Sequence, residues 1–123
     1  MPVELNHTIV YAEDKRKSAE FLAGILGIPV GEAWGLFVPV ELSNGVTLDF
    51  ADAPAGSVSP QHYAFRISDE EFDAAFERLL RAGISYYADP HHSREGELNN
   101  YFGGRGLYFL DPAGHNMEIG TRV

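Results

Sequence analysis

The chain contains an internal repeat, and this repeat constrains its fold more than any other feature. Aligned without a gap, residues 7–21 (HTIVYAEDKRKSAEF) and 62–76 (HYAFRISDEEFDAAF) share a histidine, an aspartate, an alanine and a phenylalanine at equal positions. Self-similarity at a fixed period indicates a duplicated supersecondary unit. The duplication also places one histidine, His7 or His62, at the same point of each half.

Each half is predicted to run as one strand, one helix and three strands. Asp14 and Ser68 are suited to begin the helices as N-caps, and Gly27 and Gly83 to end them. The strands predicted from β-branched and aromatic runs cover 3–11, 30–34, 36–42, 46–51, 62–67, 84–88, 106–110 and 115–120. The expected fold is α+β, a single domain with module one at about 1–52, a linker at 53–60 and module two at 61–123.

The composition limits the partners that the chain can have. Nine basic and eighteen acidic side chains give a formal charge of −9, which repels nucleic acid and anionic membrane surfaces. No apolar run is long enough to span a bilayer, and the N-terminus shows no export signal, so a cytoplasmic location is expected. Because the chain has no cysteine, any metal must be bound through nitrogen and oxygen.

Strand alternation indicates which way the candidate ligands point. Tyr63 and Met117 belong to apolar faces suited to packing on the helices, so His62 and Glu118 belong to the opposite faces. Asp49 is placed in the same way on the strand 46–51. The first strand is apolar on both sides, which leaves the direction of His7 open at this point.

Two imidazoles and one carboxylate with open positions suit a divalent first-row metal at a catalytic site. The alternative interpretation is that His7 and His62 are strand histidines bonded within the fold, and that Glu118 is a solvated carboxylate. Spacing alone does not separate the two.

The chain resembles the vicinal oxygen chelate superfamily, also called the glyoxalase/bleomycin-resistance/dioxygenase family. The similarity covers nearly the whole chain and is strongest in NHTIVYAED, QHYAFRIS and LYFLDPAGHNMEIG. It implies two βαβββ modules in a half-open mixed β-barrel, and one divalent ion (Fe, Mn, Ni, Co or Zn) bound by His7, His62 and Glu118. It also implies a homodimer in which the first-strand histidine joins the site of the other chain.

Further residues receive roles from the same resemblance. Asp49 stands where some relatives have a fourth ligand, although its shorter side chain equally suits a supporting position. Glu118 and Tyr108 are the candidate catalytic residues, and the expected substrate-lining residues are Trp34, Phe37, Arg105 and Tyr108. Packing is the alternative for the aromatic residues. His115 is interpreted as structural, and His91 and His92, in the polar loop 89–105, as solvent-exposed.

The expected function is a metal-dependent enzyme that chelates a small oxygen-bearing substrate. Isomerase or lyase, thiol transferase and extradiol dioxygenase reactions all remain open. The loop NNYFGGRGLYF lacks the serine and lysine pattern of fosfomycin enzymes, and the chain lacks their basic tail after Glu118, which disfavours fosfomycin as substrate. A dioxygenase also needs an acid–base histidine, which no residue clearly supplies. The alternative is a metal-free protein that sequesters a drug, as in bleomycin resistance.

Overall fold

A computed structural model describes residues 2–123 and shows an α+β fold built from two similar halves. The first half contains β1 (His7–Ala12), α1 (Lys15–Leu26), β2 (Phe37–Glu41) and β3 (Thr47–Asp52). The second contains β4 (His62–Arg66), α2 (Asp69–Ala82), β5 (Gly106–Leu110) and β6 (Asn116–Gly120), with a short 3-10 turn at Tyr101–Gly103. No helix within residues 2–123 is long and apolar enough to cross a membrane.

The helices begin and end where the sequence predicts. The Asp14 side chain accepts a hydrogen bond from the backbone N–H of Lys17, and Ser68 forms a reciprocal capping box with Glu71. Both helices end at a glycine in the left-handed conformation, Gly27 with φ of 73° and Gly83 with φ of 68°. A residue with a Cβ is strained there, so glycine allows the chain to leave the helix at these points.

The two halves have the same sheet topology. In each three-stranded sheet the last strand lies in the centre, giving the orders β1-β3-β2 and β4-β6-β5. The central strand pairs parallel with the first strand and antiparallel with the hairpin strand. The duplicated phrase in the sequence thus corresponds to a duplicated mixed sheet, which confirms the predicted fold class.

The predicted strands 30–34 and 84–88 are wrong; each is reduced to isolated bridges. Gly31 donates its N–H to the carbonyl of Pro39 at 2.8 Å, but Pro39 has no N–H to return, so a second ladder bond cannot form. Tyr87 does exchange both backbone hydrogen bonds with Tyr108 in β5. Its neighbour Ala88 instead donates to the carbonyl of Arg94, which turns the chain away from the sheet.

Each sheet has one face packed on a helix and one face that remains open. The packed faces carry the large apolar side chains, and those of both halves join α1 and α2 in one buried cluster. Fully buried members from the two sheets include Val10, Phe50, Phe109 and Ile119. Burying such side chains contributes about 1.5–3 kcal/mol each. This core holds the strands in register and so positions whatever lies on their open faces.

The buried His115 side chain joins the two halves through hydrogen bonds. The Nδ1 atom of His115 accepts a hydrogen bond from the backbone N–H of Gln61 at 2.9 Å. Its Nε2 therefore carries the proton and donates to the carbonyl of Tyr11 in β1, at 2.8 Å. The ring is 1% exposed and meets Tyr63 edge-on, with centroids 5.5 Å apart. The structural interpretation of His115 agrees with these contacts.

Replacing His115 by alanine is expected to lower the free energy of unfolding by about 2–4 kcal/mol, because both backbone partners lose their hydrogen bonds and a cavity opens. Urea unfolding followed by far-UV circular dichroism measures the change. The exposed His91→Ala variant is the control and should stay within about 0.5 kcal/mol of wild type. Equal stability of the two variants would contradict the role assigned to His115.

Candidate metal centre

The parallel pairing of strands decides which side chains share an open face. In the second sheet His62 is the partner of Asn116, so Glu118 lies two residues further along the same face of β6. Tyr108, on β5, is the direct partner of Glu118 across the antiparallel pair. His62, Glu118 and Tyr108 therefore come from three adjacent strands and share one face.

His62 and Glu118 are in direct contact on that face. Nε2 of His62 lies 2.9 Å from Oε1 of Glu118. The Glu118 side chain is almost buried, whereas about half of the His62 side chain is exposed. An imidazole and a carboxylate this close make a hydrogen-bonded ion pair when the ring is protonated. When the ring is unprotonated, an imidazole and a carboxylate are both donor types that can bind a divalent cation.

Tyr108 completes this group. Its ring centroid lies 5.7 Å from that of His62, and the residue is 5% exposed. Burial, followed by the negative charge of Glu118 and a hydrogen bond to it, raises the pKa of Tyr108 to about 12. The phenol therefore remains protonated at neutral pH and can donate a hydrogen bond to a bound oxygen.

The first sheet presents an equivalent pair in the same register. His7 is the partner of Thr47, and Asp49 lies two residues further along the central strand. His7 shares its face with Ile9 and Tyr11, both exposed, while Val10 and Ala12 are buried on the other side. The structure thus answers the question that the sequence left open, because His7 points to the open face. Asp49 is the counterpart of Glu118 in the first half.

The Asp49 carboxylate is buried, and one of its oxygen atoms lacks a hydrogen-bond partner. The residue is 4% exposed, and its Oδ1 atom is buried without a hydrogen-bond partner. A buried carboxylate oxygen without a donor is unfavourable by about 1–3 kcal/mol or more. A cation or a donor from a bound molecule would satisfy it. A fourth-ligand or supporting role for Asp49 therefore has a physical reason beyond its position in the sequence.

One chain alone does not bring the four side chains together. Within residues 2–123, no group of three or more His, Asp or Glu side chains is close enough to hold a metal ion. His7 is exposed, with Nδ1 at 2.7 Å from Oδ1 of Asn6, which leaves Nε2 for another partner. The donor types fit a divalent ion, because each sheet offers one imidazole and one carboxylate. The four side chains would share one site only if the two open faces met.

The substrate-lining candidates separate into two groups. Phe37 lies in β2 on the open side of the first sheet, paired with Ala51, and Trp34 packs on it with ring centroids 5.1 Å apart. Arg105 lies on the helix side of the second sheet. Its guanidinium binds the Asp73 carboxylate at 2.7 Å and lies 4.7 Å above the Phe72 ring. These contacts hold Arg105 against α2, which contradicts its expected place among the substrate-lining residues.

His92 is the site neighbour that sequence reasoning missed. Its ring stacks on Tyr87 with centroids 4.1 Å apart, and its Nε2 lies 2.9 Å from Oδ1 of Asn116 on the open face of the second sheet. The expected solvent exposure holds for His91 but not for His92, which is partly buried. The available signal was the long polar loop 89–105, a type that is commonly functional in compact domains.

The chain belongs to the Glyoxalase/Bleomycin resistance protein/Dioxygenase superfamily, whose family model matches residues 4–119. It is similar to the solved structure of Oxidase ChaP-H2, with 56% identity and a TM-score of 0.96, over 100% of this chain and 96% of that one.

Two curated relatives are more distant. Glutathione transferase FosA of Serratia marcescens is 28% identical over 120 residues, covering 94% of this chain and 78% of the relative. Metallothiol transferase FosB of Lysinibacillus sphaericus (strain C3-41) is 25% identical over 122 residues, covering 95% and 81%.

The contact between Tyr108 and Glu118 predicts a measurable shift in titration. In metal-free protein the Tyr108 phenol should titrate near pH 12, and in Glu118→Gln its midpoint should fall by part of that rise, because the charge that opposes ionisation is removed while burial, the largest cause, remains. NMR of protein carrying ¹³C at the tyrosine Cζ measures this, with Tyr108→Phe assigning the signal. Glu20→Gln, a charge removal on α1, should leave the midpoint unchanged. An unchanged midpoint in Glu118→Gln would show that the two groups are not in contact.

Proposed function

We propose that this protein is a metal-dependent oxidase that acts on a small molecule chelated through neighbouring oxygen atoms. The observation that carries the proposal is the similarity along the whole chain, at 56% identity, to a protein named as an oxidase. The two relatives named as transferases share only 28% and 25% identity. The name Metallothiol transferase and the donor set of the open faces support the use of a metal.

His7, His62 and Glu118 are the proposed ligands, with Asp49 as a fourth ligand or a supporting carboxylate. Two imidazoles and a carboxylate with open positions are suited to iron(II) and to the binding of substrate and dioxygen. A bound metal of this kind supplies Lewis-acid polarisation of the substrate oxygens. Tyr108, which keeps its proton, would donate a hydrogen bond to one of those oxygens, while Trp34 and Phe37 would provide apolar contact area.

The site is proposed to form between two chains. Only the His62–Glu118 half of the donor set is in contact within the described residues of one chain. The open side of the first sheet exposes apolar side chains, with Ile9, Tyr11 and Trp34 between 39% and 58% exposed. A cluster of exposed apolar groups on one face is typical of an association surface. Placing this face on the second sheet of a partner chain would cover it and bring His7 to His62 and Glu118.

Metal content tests the proposed function directly. Wild-type protein reconstituted anaerobically with iron(II) and desalted is expected to retain about one ion per chain. His62→Ala is expected to lose it, because one of three ligands is removed, whereas the exposed His91→Ala retains it. Plasma mass spectrometry gives the stoichiometry. Equal metal content in His62→Ala and wild type would contradict the assigned ligands.

Nitric oxide tests whether iron in the proposed site has the open position that dioxygen chemistry needs. As a stable surrogate for dioxygen it gives a characteristic electron paramagnetic resonance signal with iron(II) that has an open position. Iron-loaded wild type is expected to give that signal. If iron-loaded protein gave no such signal, dioxygen chemistry at the iron would be excluded. The isomerase, lyase or thiol transferase reactions of the superfamily would then be proposed instead.

Complementation tests the shared site. In a heterodimer of His7→Ala and Glu118→Ala chains, purified through two different tags, one of the two sites has all its ligands intact. The expected result is about one metal ion per heterodimer and almost none in either mutant homodimer. If ligands came from one chain only, both sites would be damaged. A heterodimer without metal would then contradict the intersubunit arrangement.

A further inference from the structure

We propose that a groove at the free edge of β4 is a second small-molecule site, which binds an amphipathic carboxylate through Arg66. The edge is free because β4 pairs only with β6. The groove has a volume of about 580 Å³, within the range of pockets that hold small ligands. None of the candidate metal ligands lines it. The site is therefore distinct from the candidate metal centre and goes beyond the proposed function.

The groove lies at the other end of β4 from the His115 bridge, which joins Gln61 to Tyr11. In the matching registers of the two halves, Arg66 corresponds to Tyr11, and Val46 corresponds to His115. A valine side chain has no hydrogen-bond donor. The bridge that His115 makes to Tyr11 therefore has no counterpart at Arg66.

The wall of the groove is apolar and continuous with the hydrophobic core. Its apolar side chains come from both halves, and they are Leu26, Ile28, Leu42, Phe65, Ile67 and Val123. Phe65 is a buried member of the core, whereas Leu26, Ile28, Leu42 and Ile67 pack against the core and are only partly buried. An apolar group bound here would remove their remaining surface from water, which favours binding.

Arg66 supplies a positive charge that no carboxylate of the chain neutralises. It is exposed and lines the groove. Within residues 2–123, the lysine and arginine side chains that form ion pairs are Lys15, Arg16, Arg81, Arg94 and Arg105. The guanidinium of Arg66 thus keeps its planar set of N–H donors for a bound molecule. This set matches the two oxygen atoms of a carboxylate.

The turn before β3 brings neutral polar groups to the same groove. Ser43 and Asn44 both line it, and both are exposed. A serine hydroxyl and an asparagine amide can each donate a hydrogen bond. Together with Arg66, they allow the groove to bind an anionic group beside its apolar wall.

One carboxylate, that of Glu71, also lines the groove. Its Oε1 atom accepts a hydrogen bond from the backbone N–H of Ser68 at 2.9 Å, and this bond is the main cause that lowers the pKa of Glu71. Glu71 is therefore ionised at neutral pH and repels an anion. The carboxylate of a ligand must lie at Arg66, and without Arg66 the groove would keep only a negative charge.

The probe for the test is decanoate, which combines one carboxylate with an apolar chain. Metal-free wild type with ¹³C-labelled methyl groups is titrated at pH 7 and followed by NMR. The methyl signals of Ile28, Leu42 and Ile67 are expected to shift. Arg66→Gln is expected to bind decanoate about tenfold more weakly, because a charged hydrogen-bond donor is lost. The matched control is Arg81→Gln, which removes an exposed arginine of α2 outside the groove and should bind as wild type does.

A second probe tests the sign of the charge that the groove selects. Decyltrimethylammonium has a chain of the same length and the opposite charge. Wild type is expected to bind it about tenfold more weakly than decanoate, although the net charge of −9 attracts cations to the protein as a whole. In Arg66→Gln this preference should be lost, because Glu71 is then the charged group of the groove.

Three results would overturn the inference: equal affinity of wild type and Arg66→Gln for decanoate, tighter binding of the cation by wild type, or no shift of the groove methyl signals. If association of two chains covered the groove, the third result would be obtained. All measurements use metal-free protein. Failure of the proposed metal centre would therefore leave their expected results unchanged.

Discussion

The parallel pairing of the first and last strand in each half is the interaction on which the candidate site depends. It places Asn116 beside His62 and Thr47 beside His7, so that Glu118 and Asp49 lie at equivalent points on the two central strands. A shift of one residue in either register would turn the carboxylate to the helix side of the sheet. The buried helix-facing side chains prevent that shift, because it would expose them.

The two halves have the same strand register, but the surroundings of the histidine and the carboxylate differ between them. In the second half the histidine and the carboxylate already touch, and a buried tyrosine with a raised pKa stands beside them. In the first half the carboxylate is that of Asp49, whose side chain is shorter and buried, and whose Oδ1 atom has no hydrogen-bond partner. His7 of the same half is exposed to solvent. The first half therefore combines, on its open face, a buried carboxylate oxygen that lacks a donor with exposed apolar side chains. Both favour closing it against a second copy of the chain.

The loop 89–105 brings the His92 side chain to the open face of the second sheet. Only Tyr87 of the predicted strand 84–88 pairs with β5, and the chain then turns so that His92 reaches back to Asn116. The loss of a regular strand here allows a histidine to lie over the open face. The same loss in the first half has a different cause, the missing N–H of Pro39.

The sequence was sufficient for features that depend on local rules. Strand alternation placed Glu118 and His62 opposite Met117 and Tyr63, and glycines at 27 and 83 ended the helices. It was insufficient where a contact joins distant segments. Nothing local shows that Arg105 pairs with Asp69 and Asp73 on α2, that His92 stacks on Tyr87, or that an oxygen of Asp49 lacks a donor. These contacts follow from tertiary packing, which no single stretch of sequence encodes.

The central claim is that the two open faces meet and enclose one metal ion. A crystal structure of iron- or manganese-loaded protein, with data collected at the metal absorption edge, tests it most directly. One anomalous peak per chain is expected, bounded by His7 of one protomer and by His62 and Glu118 of its partner. A peak at any other position, or loaded crystals without a peak at these residues, would contradict it.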